Sequence, residues 1–357
     1  MKGIVLHGGA GTRLRPLTHT GPKQLIPIAN KPVSRYAVED LLACNIDEIA
    51  FVLGDTHPDR VREYYGDGSK FGKKFQYVDQ GAPLGIAHAV GLCRDFVGSD
   101  SFIVYLGDNL IKGGIAKYAD EFRRSDSDAM ILLTKVKEPS RFGVASFDGK
   151  GKLIGLVEKP KKPPSNFALT GIYMFKPIIF DMIKKLKPSW RNELEITEAI
   201  QMLLAEGGRV SHHIVEGWWK DTGTPEDILE SNRLILDELG SKIDGAVEDG
   251  ASVQGRVVIG KGSRIAKGAK IRGPSIIGED TVLESGVYVG PYTSIGNHVM
   301  IKRGEIEDSI IMDHCTIDAP YRITSSIIGT YTTIRDSGSH TPKGIRLTLG
   351  ENCQLDL

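Results

Sequence analysis

Residues 259–301 read IGKGSRIAKGAKIRGPSIIGEDTVLESGVYVGPYTSIGNHVMI. Ile259, Ile265, Ile271, Ile277, Leu283, Val289, Ile295 and Ile301 fall at strict six-residue intervals, and Val247 and Val253 extend the series backwards. Gly260, Gly278, Gly290 and Gly296 each follow one of these aliphatics. A sandwich strand would alternate with a period of two. An aliphatic at every sixth position instead marks a parallel β-helix, in which each short strand points one side chain inward and the next coil stacks on it. The period resumes at Ile311, Ile317 and Ile323, then slips by one residue to Ile328 and Ile334.

The chain ahead of this tract reads differently. Ile4–Leu6, Ile49–Leu53, Phe75–Val78 and Phe102–Leu106 are short apolar runs of strand type. Between them, Val33–Cys44 and Ile86–Phe96 carry apolar residues at helical spacing. Strands alternating with helices predict a doubly wound α/β sheet with mostly parallel strands. Pro225–Leu239 reads as a further helix, with Thr224 as N-cap, Pro225 at the first helical position and Gly240 just past its end. A length of 357 residues suits two domains, placed at 1–240 and 241–357.

Composition narrows the function classes. Lys+Arg and Asp+Glu both number 45, so the formal net charge is zero. That balance argues against a general nucleic-acid binder, an acidic tail and a polybasic membrane anchor. The four cysteines, Cys44, Cys93, Cys315 and Cys353, form no CxxC pair or Cys/His cluster. Neither a structural zinc site nor a disulfide framework is expected. The N-terminal apolar run turns polar at His7-Gly8-Gly9, too early for a signal peptide. No run approaches the roughly 18 apolar residues that span a membrane, and a cytoplasmic location is expected.

Four segments carry candidate chemistry. The first strand leads into Gly8-Gly9-Ala10-Gly11-Thr12-Arg13-Leu14. Glycines after a strand let backbone N–H groups approach a phosphate. The segment is neither GxGxxG, since Leu14 holds the last glycine position, nor a P-loop. Arg13 and Lys23 suit a triphosphate, though a tight turn with solvated basic residues reads equally well. Asp108 in Leu106-Gly107-Asp108-Asn109 follows a strand, where open α/β sheets bind ligands, and could hold a divalent ion or cap a helix. Glu158-Lys159-Pro160 could be a site or a solvated pair. Asp221, in Asp221-Thr222-Gly223-Thr224, could be a ligand or cap the helix at Pro225.

Taken together, GGAGTRL (8–14), PKQLIPI (22–28), GDN (107–109), FGV (142–144), EKP (158–160), LTGIY (169–173) and DTGT (221–224) follow one another in one chain. The set resembles the sugar-1-phosphate nucleotidylyltransferases, most closely the glucose-1-phosphate thymidylyltransferases. The resemblance covers residues 1–238. The repeat tract is similar to the left-handed hexapeptide solenoid of the longer members. The resemblance therefore implies a Rossmann-like nucleotidyltransferase domain followed by a left-handed parallel β-helix.

The resemblance also implies roles. Gly8, Gly9, Gly11 and Thr12 would cradle the nucleotide, with Arg13 on its phosphates. Lys23 would stabilise the α-phosphate and the leaving pyrophosphate. Gln24 would read the pyrimidine, and Gln80, Pro83 and Gly85 match the second base-contacting segment. Asp108 and Asp221 match the two aspartates that hold Mg²⁺. Glu158 would bind sugar hydroxyls, and Lys159 and Arg191 the sugar phosphate. Gly143, Thr170 and Gly171 would wall the sugar pocket, beside Asn109. The implied reaction gives dTDP-glucose and pyrophosphate from dTTP and glucose 1-phosphate, with no general base.

Departures leave alternatives open. Leu84 and His88 stand where short thymidylyl members often have Asp and Gln, so UTP or another sugar 1-phosphate remains an alternative. Asn192 replaces the glycine usual after the phosphate-binding arginine. His7 replaces a common alanine and is expected to add a titratable group beside the nucleotide. His298 and His314 are the candidates for an acyltransferase on the solenoid, with solvent-facing corner residues as the plainer reading. Self-association, through the β-helix, is the expected partnership. A non-catalytic sugar-nucleotide sensor would tend to lose Asp108, Lys159 or Asp221, all of which are present.

Overall fold

The computed structural model describes residues 1–336. The loop expected at Ser337–His340, the strand expected after it, and Cys353 lie outside the described residues. Chain order separates 1–240 from 241–357. Packing instead groups Met1–Ala10 with Val33–Asp221 as one compact unit, and Gly11–Pro32 with the chain from Thr222 as another.

The first unit is built on a nine-stranded sheet. Its strands are β1 (Lys2–His7), β2 (Glu48–Leu53), β3 (Lys74–Asp79), β4 (Phe102–Leu106), β5 (Ala129–Lys135), β6 (Gly143–Phe147), β7 (Leu153–Glu158), β8 (Phe167–Phe175) and β9 (Val210–Ile214). The order β7-β6-β8-β4-β1-β2-β3 forms the main path, and β5 joins β8 to β9. The run β3-β2-β1-β4 is parallel throughout. These are the four strands legible in the sequence. The other half is mixed, because β8 runs antiparallel to β4, β5 and β6. Ile4, Val5, Ile49–Val52 and Phe102–Tyr105 are fully buried, as continuous apolar strands covered on both faces should be.

Helix boundaries follow local chemistry. Val33–Ala43 is helical, with Val33, Ala37, Val38 and Leu41 facing inward. The helix expected over Ile86–Phe96 is two short pieces, Ile86–Gly91 and Arg94–Val97, broken at Leu92–Cys93. Gly91 is a poor helix former at that break. Pro225–Asp237 is capped by Thr224, whose Oγ1 accepts from the Asp227 N–H at 3.2 Å.

In the second unit, short strands pair in parallel with the strands one coil on. Val247 pairs Ile265, which pairs Leu283, then Ile301, Ile317 and Ile334. Ile259 likewise pairs Ile277, Ile295, Ile311 and Ile328. The early coils are therefore three hexapeptides long (265 to 283). Ile306 pairs Val289 and closes the apparent gap in the period between Ile301 and Ile311. The corners there are shortened, which is why the sequence register slips. Ile259, Ile265, Ile271, Ile277, Leu283, Val289, Ile295 and Ile301 are all fully buried, whereas Val247 is 38% exposed. The glycines that follow these aliphatics face the next coil: a Cβ on Gly260 would lie 2.5 Å from the Gly278 carbonyl oxygen, and one on Gly278 2.5 Å from that of Gly296.

The stacking makes a direct prediction. Ile277→Ala should cost about 2–5 kcal/mol in chemical denaturation, the range for emptying a packed aliphatic site. Val247→Ala, at the half-exposed first position, should cost well under half of that. Equal costs would contradict the inward-pointing register.

Candidate active site

The site grows from the carboxyl edge of the parallel strands. Leu6 of β1 pairs with Leu106 of β4, and the Gly107 N–H donates to the Leu6 carbonyl at 2.9 Å. The two strands thus release Gly8-Gly9 and Asp108 side by side. From β3, the Gln80 N–H donates to the Leu53 carbonyl at 2.8 Å, which brings the Gln80 side chain to the same edge. A Cβ on Gly8 would sit 2.8 Å from Gln80 Oε1. A larger residue there would push the end of the Gln80 side chain aside. Gln80 Nε2 donates to the Gly85 carbonyl at 3.2 Å, which folds the segment carrying Pro83 back on itself.

Asp108 and Asp221 are brought together by a pairing invisible in the sequence. Asn109–Ile111 and Trp219–Asp221 form a two-stranded antiparallel sheet in which Asp221 lies opposite Asn109. No helix starts at Asp108, and Thr224 caps the helix at Pro225, so neither aspartate serves as a helix cap. Asp108 is 8% exposed, and its Oδ1 accepts from Asn109 Nδ2 at 2.8 Å. Among the described residues, no cluster of three or more His, Cys, Asp or Glu side chains could hold a metal ion. The carboxylates of Asp108 and Asp221 are hard oxygen donors of the kind that Mg²⁺ takes one or two at a time, keeping several waters in its shell.

Trp219 locks this corner. Its Nε1 lies 2.8 Å from Asn109 Oδ1 and 2.7 Å from the Thr170 carbonyl, donating to both. Thr170 precedes Gly171, where β8 breaks register against β5. Gly171 has φ +75°, and a Cβ there would lie 2.6 Å from Leu106 Cδ1. The wall expected from Thr170 and Gly171 is therefore a bulge, held by a tryptophan that the motif reading did not single out.

The expected sugar-phosphate residues form one cluster. Thr197 Oγ1 donates to Glu158 Oε2 at 2.6 Å. Arg191 reaches Glu193 at 2.7 Å, Glu195 at 3.3 Å and Glu158 at 3.8 Å, and Lys159 Nζ lies 3.8 Å from Glu158. Burial holds the Glu158 carboxyl above its usual range, opposed by the Thr197 hydrogen bond. A Cβ on Gly143 would lie 2.6 Å from Thr197 Oγ1 and 3.0 Å from Glu158 Oε2. Glu193, Glu195 and Thr197 went unassigned in the sequence, although they occupy the same Arg191–Thr197 run. The cluster is zipped to the Gln80–Gly85 segment: the Leu194 N–H donates to the Leu84 carbonyl at 2.7 Å, and the Ala87 N–H to the Leu194 carbonyl at 3.0 Å.

Arg13, Lys23 and Gln24 belong to the second unit. There a Cβ on Gly11 would meet Lys23 Cβ at 3.3 Å, and one on Gly223 would meet an Arg13 guanidinium nitrogen at 2.8 Å. Thr12 and Arg13 are exposed, while Gln24 is 1% exposed. Leu14 and Arg15 border a cavity of about 340 Å³ in this unit, closed by Leu229, Arg233 and Ile327.

The structure corrects the expectation for His7 and places His298 and His314 at exposed corners, as the plainer reading has them. His7 is 4% exposed, packed edge-on against Phe51 at 5.5 Å and Tyr65 at 6.1 Å, and neither ring nitrogen has a hydrogen-bond partner. Burial pushes its pKa down to about 3, partly offset by Asp108. It is a neutral core ring at physiological pH and adds no titratable group beside the nucleotide. His298 and His314 stack on each other at 4.8 Å, and His314 on Tyr331 at 4.7 Å. All three have positive φ, as corner residues of successive coils.

Comparison with known proteins places the chain in a family. The Nucleotidyl transferase family matches residues 2–238, and the GMPPB C-terminal domain matches residues 271–354. The chain belongs to the nucleotidyl transferase family. More particularly, it has full-length relatives among the glucose-1-phosphate thymidylyltransferases: that of Streptomyces antibioticus is 44% identical, covering all of this chain and 99% of that protein. The low-salt glycan biosynthesis nucleotidyltransferase Agl11 of Haloferax volcanii is 51% identical over 357 residues, the whole of both chains. Among solved structures, a protein assigned as a glucose-1-phosphate thymidylyltransferase from Bacillus anthracis, in complex with a sucrose, superposes with TM-score 0.62. It has 42% identity and covers 66% of this chain and 94% of that one. UDP-glucose pyrophosphorylase complexed with UDP-glucose gives TM-score 0.60 at 27% identity, covering 66% and 98%. No helix among the described residues is long and apolar enough to cross a membrane.

His7 supplies a pH prediction. Its folded pKa of about 3 lies below the unfolded 6.5. The unfolded state therefore takes up a proton first as pH falls. The contribution of neutral His7 is complete above pH 6.5 and falls by about 1.4 kcal/mol per pH unit towards its folded pKa. His7→Ala should flatten the loss of melting temperature between pH 6.5 and 4; an unchanged slope would contradict a buried neutral ring.

Proposed function

We propose that the chain transfers dTMP from dTTP to glucose 1-phosphate, giving dTDP-glucose and pyrophosphate. The observation that carries the reading is the pairing of Asp221 with Asn109, which sets two carboxylates where the glycine turn leaves β1. A phosphate oxygen of glucose 1-phosphate attacks the α-phosphorus of dTTP in line. The bond from that phosphorus to the bridging oxygen breaks, and pyrophosphate leaves with the electron pair. The sugar phosphate is already ionised near neutral pH, since its second pKa is about 6. No side chain needs to take a proton, and catalysis reduces to positioning and charge neutralisation.

Both substrates are anionic, so cations must cancel their repulsion. Arg13 and Lys23 act on the triphosphate, and Lys159 and Arg191 on the sugar phosphate. Glu158 accepts from sugar hydroxyls, held in place by Thr197. Asp108 and Asp221 would hold Mg²⁺, which when bound neutralises charge on the phosphate oxygens. Gln24 and Gln80 are the base readers. Their burial supports that role, since a carboxamide in a dry setting discriminates by the hydrogen bonds that a wrong base would leave unmade.

UTP is the second reading of the nucleotide, favoured by the 27% identity to UDP-glucose pyrophosphorylase and by Leu84 and His88 beside the Gln80 segment. For the coils we propose a left-handed parallel β-helix that serves self-association. The ring stack of His298, His314 and Tyr331, corner residues of successive coils, supports a structural role for these histidines.

Pyrophosphate release tests the reaction, with Mg²⁺, glucose 1-phosphate and each of dTTP, UTP, CTP, GTP and ATP. A strong dTTP preference is expected; a UTP preference moves the base assignment, and no release with any pair overturns the reaction. Asp108→Asn should lower kcat by about a hundredfold or more while leaving the KM for glucose 1-phosphate within a small factor. Equal losses in both would count against a metal-holding role.

A further inference from the structure

The second unit contains a buried polar junction that the reaction does not explain. Pro27–Ile28 and Lys31–Pro32 form a two-stranded hairpin that turns at Ala29 and Asn30. Both turn residues have positive φ, 47° and 60°. That is the type I′ pattern, which needs positive φ at both positions, and alanine adopts it reluctantly. Something outside the hairpin must hold Ala29 there.

Asn232, on the helix Pro225–Asp237, does so. Its Oδ1 accepts from the Ala29 N–H at 2.8 Å and from the Ser294 hydroxyl at 2.7 Å. Its Nδ2 donates to the Tyr292 carbonyl at 3.0 Å. Asn30 Nδ2 in turn donates to the Ile295 carbonyl of the coil. Asn232 is 1% exposed, Ser294 is fully buried and Ala29 is 8% exposed. The neighbouring Arg233 makes a two-pronged ion pair with Asp308 of a later coil. One amide therefore joins three elements: hairpin, helix and coil. A buried polar network of this kind favours a single geometry.

The hairpin is the direct continuation of the Lys23–Leu25 turn. Resting on the nucleotidyl-transfer reading above, we propose that Asn232 is a positioning residue for the reaction. Through Ala29 it fastens the segment 11–32, which carries Arg13, Lys23 and Gln24, to the coils. The solenoid is then a working part of nucleotide handling, and its first task is to hold that segment rather than to add a second activity.

Three variants of the full chain test this: Asn232→Ala, Asn232→Asp and Asn30→Gly. Asp keeps the acceptor for Ala29 and Ser294. Gly keeps the positive φ at position 30 and removes only the bond to Ile295. Two readouts are taken: steady-state kinetics with dTTP and glucose 1-phosphate, and amide hydrogen exchange across residues 23–30. Asn232→Ala should lower kcat/KM for the nucleotide by about tenfold to a hundredfold, with the KM for glucose 1-phosphate little changed, and should speed exchange at Ala29. Asn232→Asp, which keeps the acceptor for Ala29 but loses the donor to the Tyr292 carbonyl, should lose less than Asn232→Ala, and Asn30→Gly should show a smaller loss of the same kind. Equal losses for both substrates, or unchanged nucleotide kinetics with faster exchange, would overturn the positioning role. A wild type that releases no pyrophosphate overturns the reaction instead. Unchanged exchange at Ala29 in Asn232→Ala overturns the junction whatever the kinetics show.

Discussion

The parallel pairing of β1 with β4 is the constraint on which the first unit's chemistry depends. With Leu6 opposite Leu106, the two chains leave the sheet in step, and Gly8 and Asp108 emerge at one edge. A slip of one residue would turn Asp108 to the opposite face of the strand. The fully buried apolar strands around it make such a slip prohibitive. The second aspartate arrives by a different route, through the short pairing of Trp219–Asp221 with Asn109–Ile111. Trp219 then closes the corner on the Thr170–Gly171 bulge.

Charge is handled in the same region by contrast of environment. His7 sits behind the glycine turn as a neutral ring, because desolvation outweighs the attraction of Asp108. Glu158 is kept above its usual pKa by burial, yet it remains hydrogen-bonded to Thr197 and near two cations. Arg191 is braced by Glu193 and Glu195. Bracing of this kind holds the guanidinium in one orientation.

The coils follow a simpler rule. Each aliphatic is buried by the coils before and after it, so stability is built from neighbour to neighbour. Glycine recurs where a Cβ would strike the next coil. Where a corner shortens, as before Ile306, the sequence period breaks while the ladder continues. Counting from the repeat therefore finds one inward aliphatic per strand but misses Ile306 and buried neighbours such as Val287, Val299 and Cys315.

Several features were determined by the sequence alone. Local periodicity marked the first four strands, the capped helix at Pro225 and the inward aliphatics of the coils, because period and capping are short-range properties. The ordered motifs marked the family and the candidate residues. Tertiary structure decided what depends on distant segments meeting. The pairing of Asp221 with Asn109 spans more than a hundred residues. The antiparallel β8 mixes a sheet that its first four strands make parallel. Burial pushes the His7 pKa down, and Phe51 and Tyr65, from distant segments, pack edge-on against its ring. Residues 11–32 group with the coils although the chain order places them deep in the N-terminal half. Within that grouping Asn232, one amide with no motif around it, bonds Ala29 and Ser294, which lie too far along the chain for any local pattern to join them.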